Sequence, residues 1–381
     1  MMQPPLFLEA VIDMIGILLC TKECNLRCKY CFEEEGFKVA NMIPQSRINA
    51  EFYSAMDVWK EFGKQLVAYN NLRGFKTKFT FHGGEPLLIY PEYIDELCAY
   101  LRTIDDVEFN VQTNGTIAND KVLKVLKKYD FRVGVSIDGA AITHDENRVN
   151  IAGKGSHKAV LENIKKMQQA GISVGAMATI TNSITENPKL FYEFYKDNNL
   201  TVGFNACYTS PNSVNQSNAL DDKKYCAFLK ELFDLWIEDS SSSIMIQPFE
   251  RIMRTIVNPN HGMGVCQFIE DCREVNVAAD MNGNIYRCLH YCNIPNSELG
   301  NLKNMRLEEI IADFMEQPSH WNLVKDNECK GCDIFNFCYG GCPYWKDAQS
   351  ITGLEKDFNC TSQKFIVHYI YNRMKESFKN K

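Results

Sequence analysis

Long apolar runs are missing from this chain. None of its 381 residues lies in a stretch of about 18 uncharged apolar positions, so no membrane-spanning helix is expected. The N-terminal run from Leu6 to Leu19 is interrupted by Glu9 and Asp13. It also lacks a basic lead-in and a small-residue cleavage site, so no secretory signal peptide is expected. Basic charge is in short supply: 41 Lys and Arg stand against 48 Asp and Glu, a net charge of −7. That balance leaves no electrostatic footprint for nucleic acid. Hydrophobic residues at 45% and charged residues at 23% exclude general disorder. Low-complexity tails are absent, and nothing repeats except clusters of cysteine.

Cysteine is what the chain has in excess, with 16 residues. A secreted disulfide scaffold would be shorter and denser in cysteine. Without an export signal, a reducing cytoplasmic setting is expected, where thiols stay available to metal. Four cysteines fall within Cys20–Cys31 and nine within Cys266–Cys360, with only Cys98, Cys207 and Cys226 between. Two cysteine-rich ends around a poor middle suggest metal sites rather than scattered core thiols.

The middle alternates short apolar runs with amphipathic stretches. Strands are predicted at Met14–Leu19, Thr77–Phe81, Glu108–Gln112, Arg132–Ile137, Ser173–Thr179 and Thr201–Asn205. Helices are predicted near Asn49–Tyr69, Tyr90–Leu101, Asn119–Lys128, Ser156–Ala170 and Asn187–Asn198. This alternation implies parallel strands with right-handed crossovers. Six units fit, against eight for a closed barrel, so the fold class is α/β, a partial (β/α)6 TIM-type barrel. Residues 1–239 are assigned to it. The helix Lys223–Glu238 and the serine run Ser240–Ser243 lead into a linker with a bridging helix at Pro248–Val257, spanning 240–265. Residues 266–381 form a small, loop-rich region poor in long periodic segments, whose thin apolar core requires metal to hold it.

Cys24-Asn-Leu-Arg-Cys28-Lys-Tyr-Cys31 is a C-x3-C-x2-C motif in the loop after the first strand. Three thiolates at this spacing can hold three irons of a [4Fe–4S] cubane and leave the fourth open. A zinc site completed by a distant ligand is the alternative, although zinc more often uses paired C-x2-C. Cys20 is out of register and reads as a packing residue.

With an aromatic at Tyr30, this motif resembles the radical S-adenosylmethionine (radical SAM) superfamily. The resemblance implies that the open iron chelates the amino and carboxylate groups of S-adenosylmethionine, whose reductive cleavage gives a 5′-deoxyadenosyl radical. Further segments sit where the family expects them. Gly83-Gly84-Glu85-Pro86 follows the second strand and resembles the segment that binds the methionine amino group, with Glu85 able to accept from the ammonium. Gln112-Thr-Asn-Gly115 follows the third strand. Ser136-Ile-Asp138-Gly139 follows the fourth, where ribose and carboxylate contacts are expected, and Arg148 is a partner for the methionine carboxylate.

The C-terminal cysteines resemble the SPASM domain, which carries two auxiliary [4Fe–4S] clusters. The resemblance implies Cys266, Cys272, Cys288 and Cys342 at auxiliary cluster I, and Cys329, Cys332, Cys338 and Cys360 at auxiliary cluster II. A pair of structural zinc sites with the same ligands is the alternative, since four thiolates suit both metals. In that case the chain would be a zinc-stabilised, non-enzymatic binding module. Eleven of the 16 cysteines are assigned in this way. Cys20, Cys98, Cys207, Cys226 and Cys292 remain, with Cys292 close to the first auxiliary site.

Fully ligated auxiliary clusters offer no open iron, so they suit electron transfer and an oxidation rather than an isomerisation. The resemblance is strongest to anaerobic sulfatase-maturating enzymes and to maturases of ribosomally made peptides, through segments such as Leu232–Asp239 and Leu299-Gly-Asn-Leu. Sulfatase maturases carry an Asp right after the third ligand of auxiliary cluster I, and here that position is Leu289. The leading expectation is therefore a precursor-peptide maturase that makes a carbon–carbon or thioether cross-link or another oxidised residue. Sulfatase maturation is the alternative. Glu33, Asp138, His290 and Tyr291 are base candidates. A reductant such as flavodoxin or ferredoxin is implied. The 23 residues before Cys24 are too few for a winged-helix leader-binding domain, so a leader would dock on this chain or on a separate leader-binding protein.

Overall fold

Short runs of aliphatic and aromatic residues with period-two burial build the sheet. The computed structural model describes residues 14–31, 43–207, 220–258, 269, 271–317, 329, 331–344 and 360–379. Its strands are β1 (Ile15–Thr21), β2 (Leu26–Cys28), β3 (Lys78–Gly83), β4 (Glu108–Thr113), β5 (Arg132–Ser136), β6 (Arg148–Asn150), β7 (Ser173–Ile180), β8 (Val202–Ala206), β9 (Asn276–Ala279), β10 (Asn284–Tyr286) and β11 (Gly300–Asn301). Six of them, in the order β1-β3-β4-β5-β7-β8, pair in parallel. Each follows its predicted run within two residues. Helices cross between them, which makes a partial TIM-type barrel. Among the described residues no helix is long and apolar enough to cross a membrane.

Alternation fixes which side faces what. In β4 the buried residues are Phe109, Val111 and Thr113, while Glu108, Asn110 and Gln112 take the other face. Phe79, Phe109 and Phe131 stack in a row, with ring centroids 6.3 and 5.4 Å apart. The helix Met56–Leu72 lays Trp59, Phe62 and Leu66 on this side, with Phe62 edge-on to Phe79. Each such ring removed from water stabilises the fold by roughly 1.5–3 kcal/mol. The opposite, concave face keeps polar positions, Thr80 and His82 on β3 and Ser136 on β5 among them.

Two features differ from the sequence expectation. The stretch at 49–69 is not one helix but two, Gln45–Ser54 and Met56–Leu72, parted at Ala55. The region after residue 266 is more ordered than its composition suggests. It adds β9, parallel to β1, then β10 and β11 antiparallel, so one nine-stranded sheet runs across the expected boundary. It also holds the helices Leu307–Glu316 and Cys360–Lys379, the latter of 20 residues. Ile310, Ile311 and Phe314 bury one stripe of the first, and Ile366, Val367 and Ile370 one stripe of the second. The longer helix packs on Asp222–Glu238, where the Tyr369 hydroxyl donates to Asp234 at 2.7 Å and Arg373 pairs with Glu238 at 2.6 Å. The C-terminal region therefore touches both ends of the six-stranded arc.

Candidate active site

The C-x3-C-x2-C loop leaves the carboxyl end of β1 and returns as β2, which pairs antiparallel with β6 and sets Cys28 opposite Arg148. Cys24 is buried, and its sulfur accepts from the Leu26 backbone N–H and the Asn114 amide, both at 3.4 Å. The Cys31 N–H donates to the Cys28 carbonyl at 3.1 Å. Burial, with Glu85 nearby, pushes the Cys24 thiol up to about 12, and burial also raises Cys28. Metal binding there would replace the thiol protons.

The Gly-Gly-Glu-Pro segment is pressed against this loop. Gly84 N–H donates to the Thr21 carbonyl at 2.7 Å and Glu85 N–H to the Glu23 carbonyl at 2.8 Å. A Cβ at Gly84 would stand 2.2 Å from the Glu23 oxygen, and one at Gly83, whose φ is +118°, would stand 2.4 Å from the Thr21 oxygen. Only glycine lets the two backbones meet. Glu85 is fully buried and accepts from Leu87 N–H at 2.9 Å, the Thr113 hydroxyl at 2.7 Å and Asn114 N–H at 2.7 Å. Burial still pushes its carboxyl up to about 7. Glu85 thus ties the loop after β4 to the turn after β3, and Asn114 carries that tie on to Cys24.

Asp138 and Arg148, expected to face the cofactor separately, face each other. Arg148 donates through Nε and Nη2 to Asp138 at 2.8 and 3.1 Å, and both side chains are buried. Asp138 also accepts from the Tyr30 hydroxyl and, at 2.9 Å, from Thr179 N–H. The Arg148 guanidinium lies 5.3 Å from the Tyr30 ring centre, and its charge acts on the Cys28 thiol. Tyr30, Cys28, Arg148 and Asp138 form one connected polar unit beside the cysteine loop.

Beyond it lies the concave face. The register sets Leu19 beside His82 and Ile17 beside Thr80, then Gln112 beside Gly134 and Ser136 beside Met177. Gln112 donates to Ser136 at 3.2 Å. His82 was not singled out in the sequence, although it shares Thr80's face and precedes the two glycines. Its Nδ1 accepts from Gly83 N–H at 2.7 Å, which leaves the proton on Nε2. Burial, and His290 close by, push it down to about 4.

On this face the second cysteine region meets β1. Ile17 packs with Ala278, Tyr286, Tyr291 and Tyr344, and around them stand Ile15, Leu19, Cys288, Leu289, Cys292 and Cys342. His290 stacks on Tyr344 at 4.7 Å, and its burial pushes it down to about 4. Cys272 lies beside the Arg287 guanidinium, which donates to its sulfur at 3.6 Å. Cys329, Cys332 and Cys360 all act on the Cys338 thiol, so these four are neighbours. Among the described residues no three His, Cys, Asp or Glu side chains converge as on a single metal ion. Cubane ligands each bind a different iron and stand further apart than the ligands of one zinc. Cys266 and Glu33 lie outside the described residues. His82, Arg287 and Tyr344 join the site without having been expected, and Asn114, inside the expected Gln112–Gly115 segment, gains its role through its bond to Cys24, 90 positions away.

Comparison with known proteins matches residues 18–197 to the Radical SAM superfamily. A cysteine-type anaerobic sulfatase-maturating enzyme of Clostridium perfringens is 27% identical over 92% of this chain and 94% of its own length. A serine-type anaerobic sulfatase-maturating enzyme of Bacteroides thetaiotaomicron is 28% identical over 84% of this chain and 80% of its own. The fold resembles native anSMEcpe with bound AdoMet and Cp18Cys peptide, with a TM-score of 0.78, 24% identity, and coverage of 96% of this chain and 99% of that one. It also resembles Streptococcus suis SuiB bound to precursor peptide SuiA, with a TM-score of 0.61, 14% identity, and coverage of 92% and 76%. With its cysteine loop seated at the mouth of a partial barrel, the chain carries a radical SAM domain and is a radical SAM enzyme akin to the anaerobic sulfatase-maturating enzymes.

Proposed function

We propose that the chain oxidises one residue of a polypeptide. Cys24, Cys28 and Cys31 would hold a [4Fe–4S] cluster, which with S-adenosylmethionine would supply the radical chemistry that removes a hydrogen atom from the substrate. One observation carries the reading. The loop of Cys24 leaves the end of β1, while Cys288 and Cys342 pack around Ile17 on the concave face of the same strand. Both cysteine regions thereby border the concave face, which would serve hydrogen abstraction and removal of a second electron together.

Within it, we assign the Gly83–Pro86 turn, Glu85 included, to the methionine end of the cofactor, and Gln112 and Ser136 to its ribose. Tyr30, Asp138 and Arg148 hold Cys28 in place. Cys272, Cys288 and Cys342, with Cys266, are assigned to one auxiliary cluster, and Cys329, Cys332, Cys338 and Cys360 to the other. The neighbourhood of Cys329, Cys332 and Cys360 around Cys338 supports one shared site for these four. Residues 1–239 then form the radical barrel, 240–265 the bridge and 266–381 the cluster region. A flavodoxin or ferredoxin in the cytoplasm would supply electrons.

The relatives named for Cys and Ser support oxidation of such a side chain in a protein more than the cross-link favoured by sequence alone. A second reading, a precursor-peptide cross-link, is favoured by Leu289. It packs in the apolar group where a sulfatase maturase has an Asp. His290 and Tyr291, adjacent to it, then become the proton acceptors to test, ahead of Asp138, whose carboxylate is fully engaged. The experiment supplies S-adenosylmethionine, dithionite and either a Cys- or Ser-containing sulfatase peptide or a precursor peptide. Mass change is measured per 5′-deoxyadenosine. A modified sulfatase peptide establishes the first reading and a cross-linked precursor the second. Zinc in place of iron, with no 5′-deoxyadenosine, would remove both.

A further inference from the structure

Among the described residues, Arg287 is a strongly basic group set among the C-terminal thiols with no acid to answer it. It is half-buried between two rings, 5.0 Å from the centre of Tyr291 and 5.1 Å from that of Phe314. Its Nη1 donates to the Tyr291 hydroxyl at 3.2 Å and its Nη2 to the Cys272 sulfur at 3.6 Å, and Cys288 is the other thiol acting on it. Among the described residues no carboxylate stands within ion-pair distance of it. The nearest acid in sequence to Cys272, Asp271, is held by Arg273 through two bonds to Nε, at 2.9 and 2.8 Å.

A guanidinium withdrawn from water with no counter-charge is costly. The neighbours that can supply negative charge are Cys272 and Cys288, once they are thiolates. In that state the charge becomes favourable, and the cation–π contacts hold it in place. A thiolate-ligated cubane is anionic, and uptake of one electron makes it more so. A fixed positive charge alongside therefore stabilises the reduced form more than the oxidised form, and charge and hydrogen bonds at the sulfurs are what set such potentials.

We propose that Arg287 is a positioning residue that raises the reduction potential of the auxiliary cluster held by Cys272 and Cys288, making it the acceptor of the electron that leaves the substrate. The inference rests on the iron–sulfur reading of these cysteines. The redox event is a single one-electron uptake, with no bond made or broken at Arg287.

The test uses the full chain, reconstituted anaerobically with Cys24, Cys28 and Cys31 replaced by Ala, so that only the auxiliary clusters remain. Iron analysis comes first. About eight irons per chain are expected, and zinc or no iron would show that the underlying reading, not the role of Arg287, has failed. Redox titration followed by electron paramagnetic resonance then gives the two midpoint potentials. Arg287→Gln should shift one of them downward by at least a tenfold change in the one-electron equilibrium, 59 mV, and leave the other in place. Arg287→Lys, which keeps the charge, should recover part of the shift. Unchanged potentials in an Arg287→Gln protein with full iron would overturn the proposal. So would selective loss of four irons in that variant, because Arg287 would then hold the cluster rather than tune it.

Discussion

At Gly84 a single hydrogen atom separates a working loop from a displaced one. Gly84→Ala puts a methyl 2.2 Å from the Glu23 carbonyl oxygen, which is backbone and has little room to yield. The cysteine loop must shift, and about four irons should be lost from the N-terminal site while those of the C-terminal region stay. Iron analysis of the variant against the unmutated chain checks this. Replacing Cys24, Cys28 and Cys31 together by Ala should likewise remove about four irons of twelve and all 5′-deoxyadenosine formation. If that triple variant still released 5′-deoxyadenosine, these three cysteines would not carry the radical chemistry. Glu85 sits between these cases. Its three hydrogen bonds make Glu85→Ala leave Leu87, Thr113 and Asn114 unanswered in the interior, on the order of 1–3 kcal/mol. Weaker S-adenosylmethionine binding is then expected together with a lower urea midpoint, and weaker binding with an unchanged midpoint would separate the two roles.

Elements were legible to the extent that they repeat. The six long strands and their crossing helices announce themselves by period, because Phe79 and Phe81, or Phe109 and Val111, mark one face without help from elsewhere. Strands β9, β10 and β11 have four, three and two residues, too few for a period to emerge. The first of them depends on a partner more than 250 positions away, as Ile15 pairs with Asn276, and the other two are hung on it in turn. The same limit applied to the site. Cysteine spacing and the glycine pair were readable along the chain, whereas the pairing of Asp138 with Arg148 and the packing of Tyr344 on His290 exist only once the elements meet. The turn after β5 shows how neutral histidine serves such a junction. His144 Nδ1 accepts from Asp138 N–H at 3.2 Å, its Nε2 meets Ser156 at 2.9 Å, and burial pushes it down to about 4. A histidine lowered in the folded state binds fewer protons than when unfolded, so its contribution is full above the ordinary value of 6.5 and declines as pH falls towards 4. Between pH 7 and 5.5 this amounts to about 1 kcal/mol. Urea midpoints at the two pH values should therefore differ less in His144→Gln than in the unmutated chain.

For the molecule as a whole, the C-terminal helix is a clasp. Tyr369 and Arg373 bind Asp234 and Glu238 on the barrel helix Asp222–Glu238, while Cys360 at its start lies near Cys338. Tyr369→Phe removes the hydroxyl bonds alone, and a loss of roughly 1 kcal/mol is expected, visible as a lower thermal midpoint with iron content intact. The other end of the arrangement has a different consequence. β1 is paired on both sides, by β3 and by β9. A chain ended at residue 265 would lose β9, and Ile15-Gly-Ile-Leu-Leu would become a bare sheet edge, apolar and uncharged. Exposed edges of that kind recruit one another. A product truncated there should accordingly self-associate rather than persist as a free barrel, so the ribosome must deliver the last third of the chain before the first strand is safe.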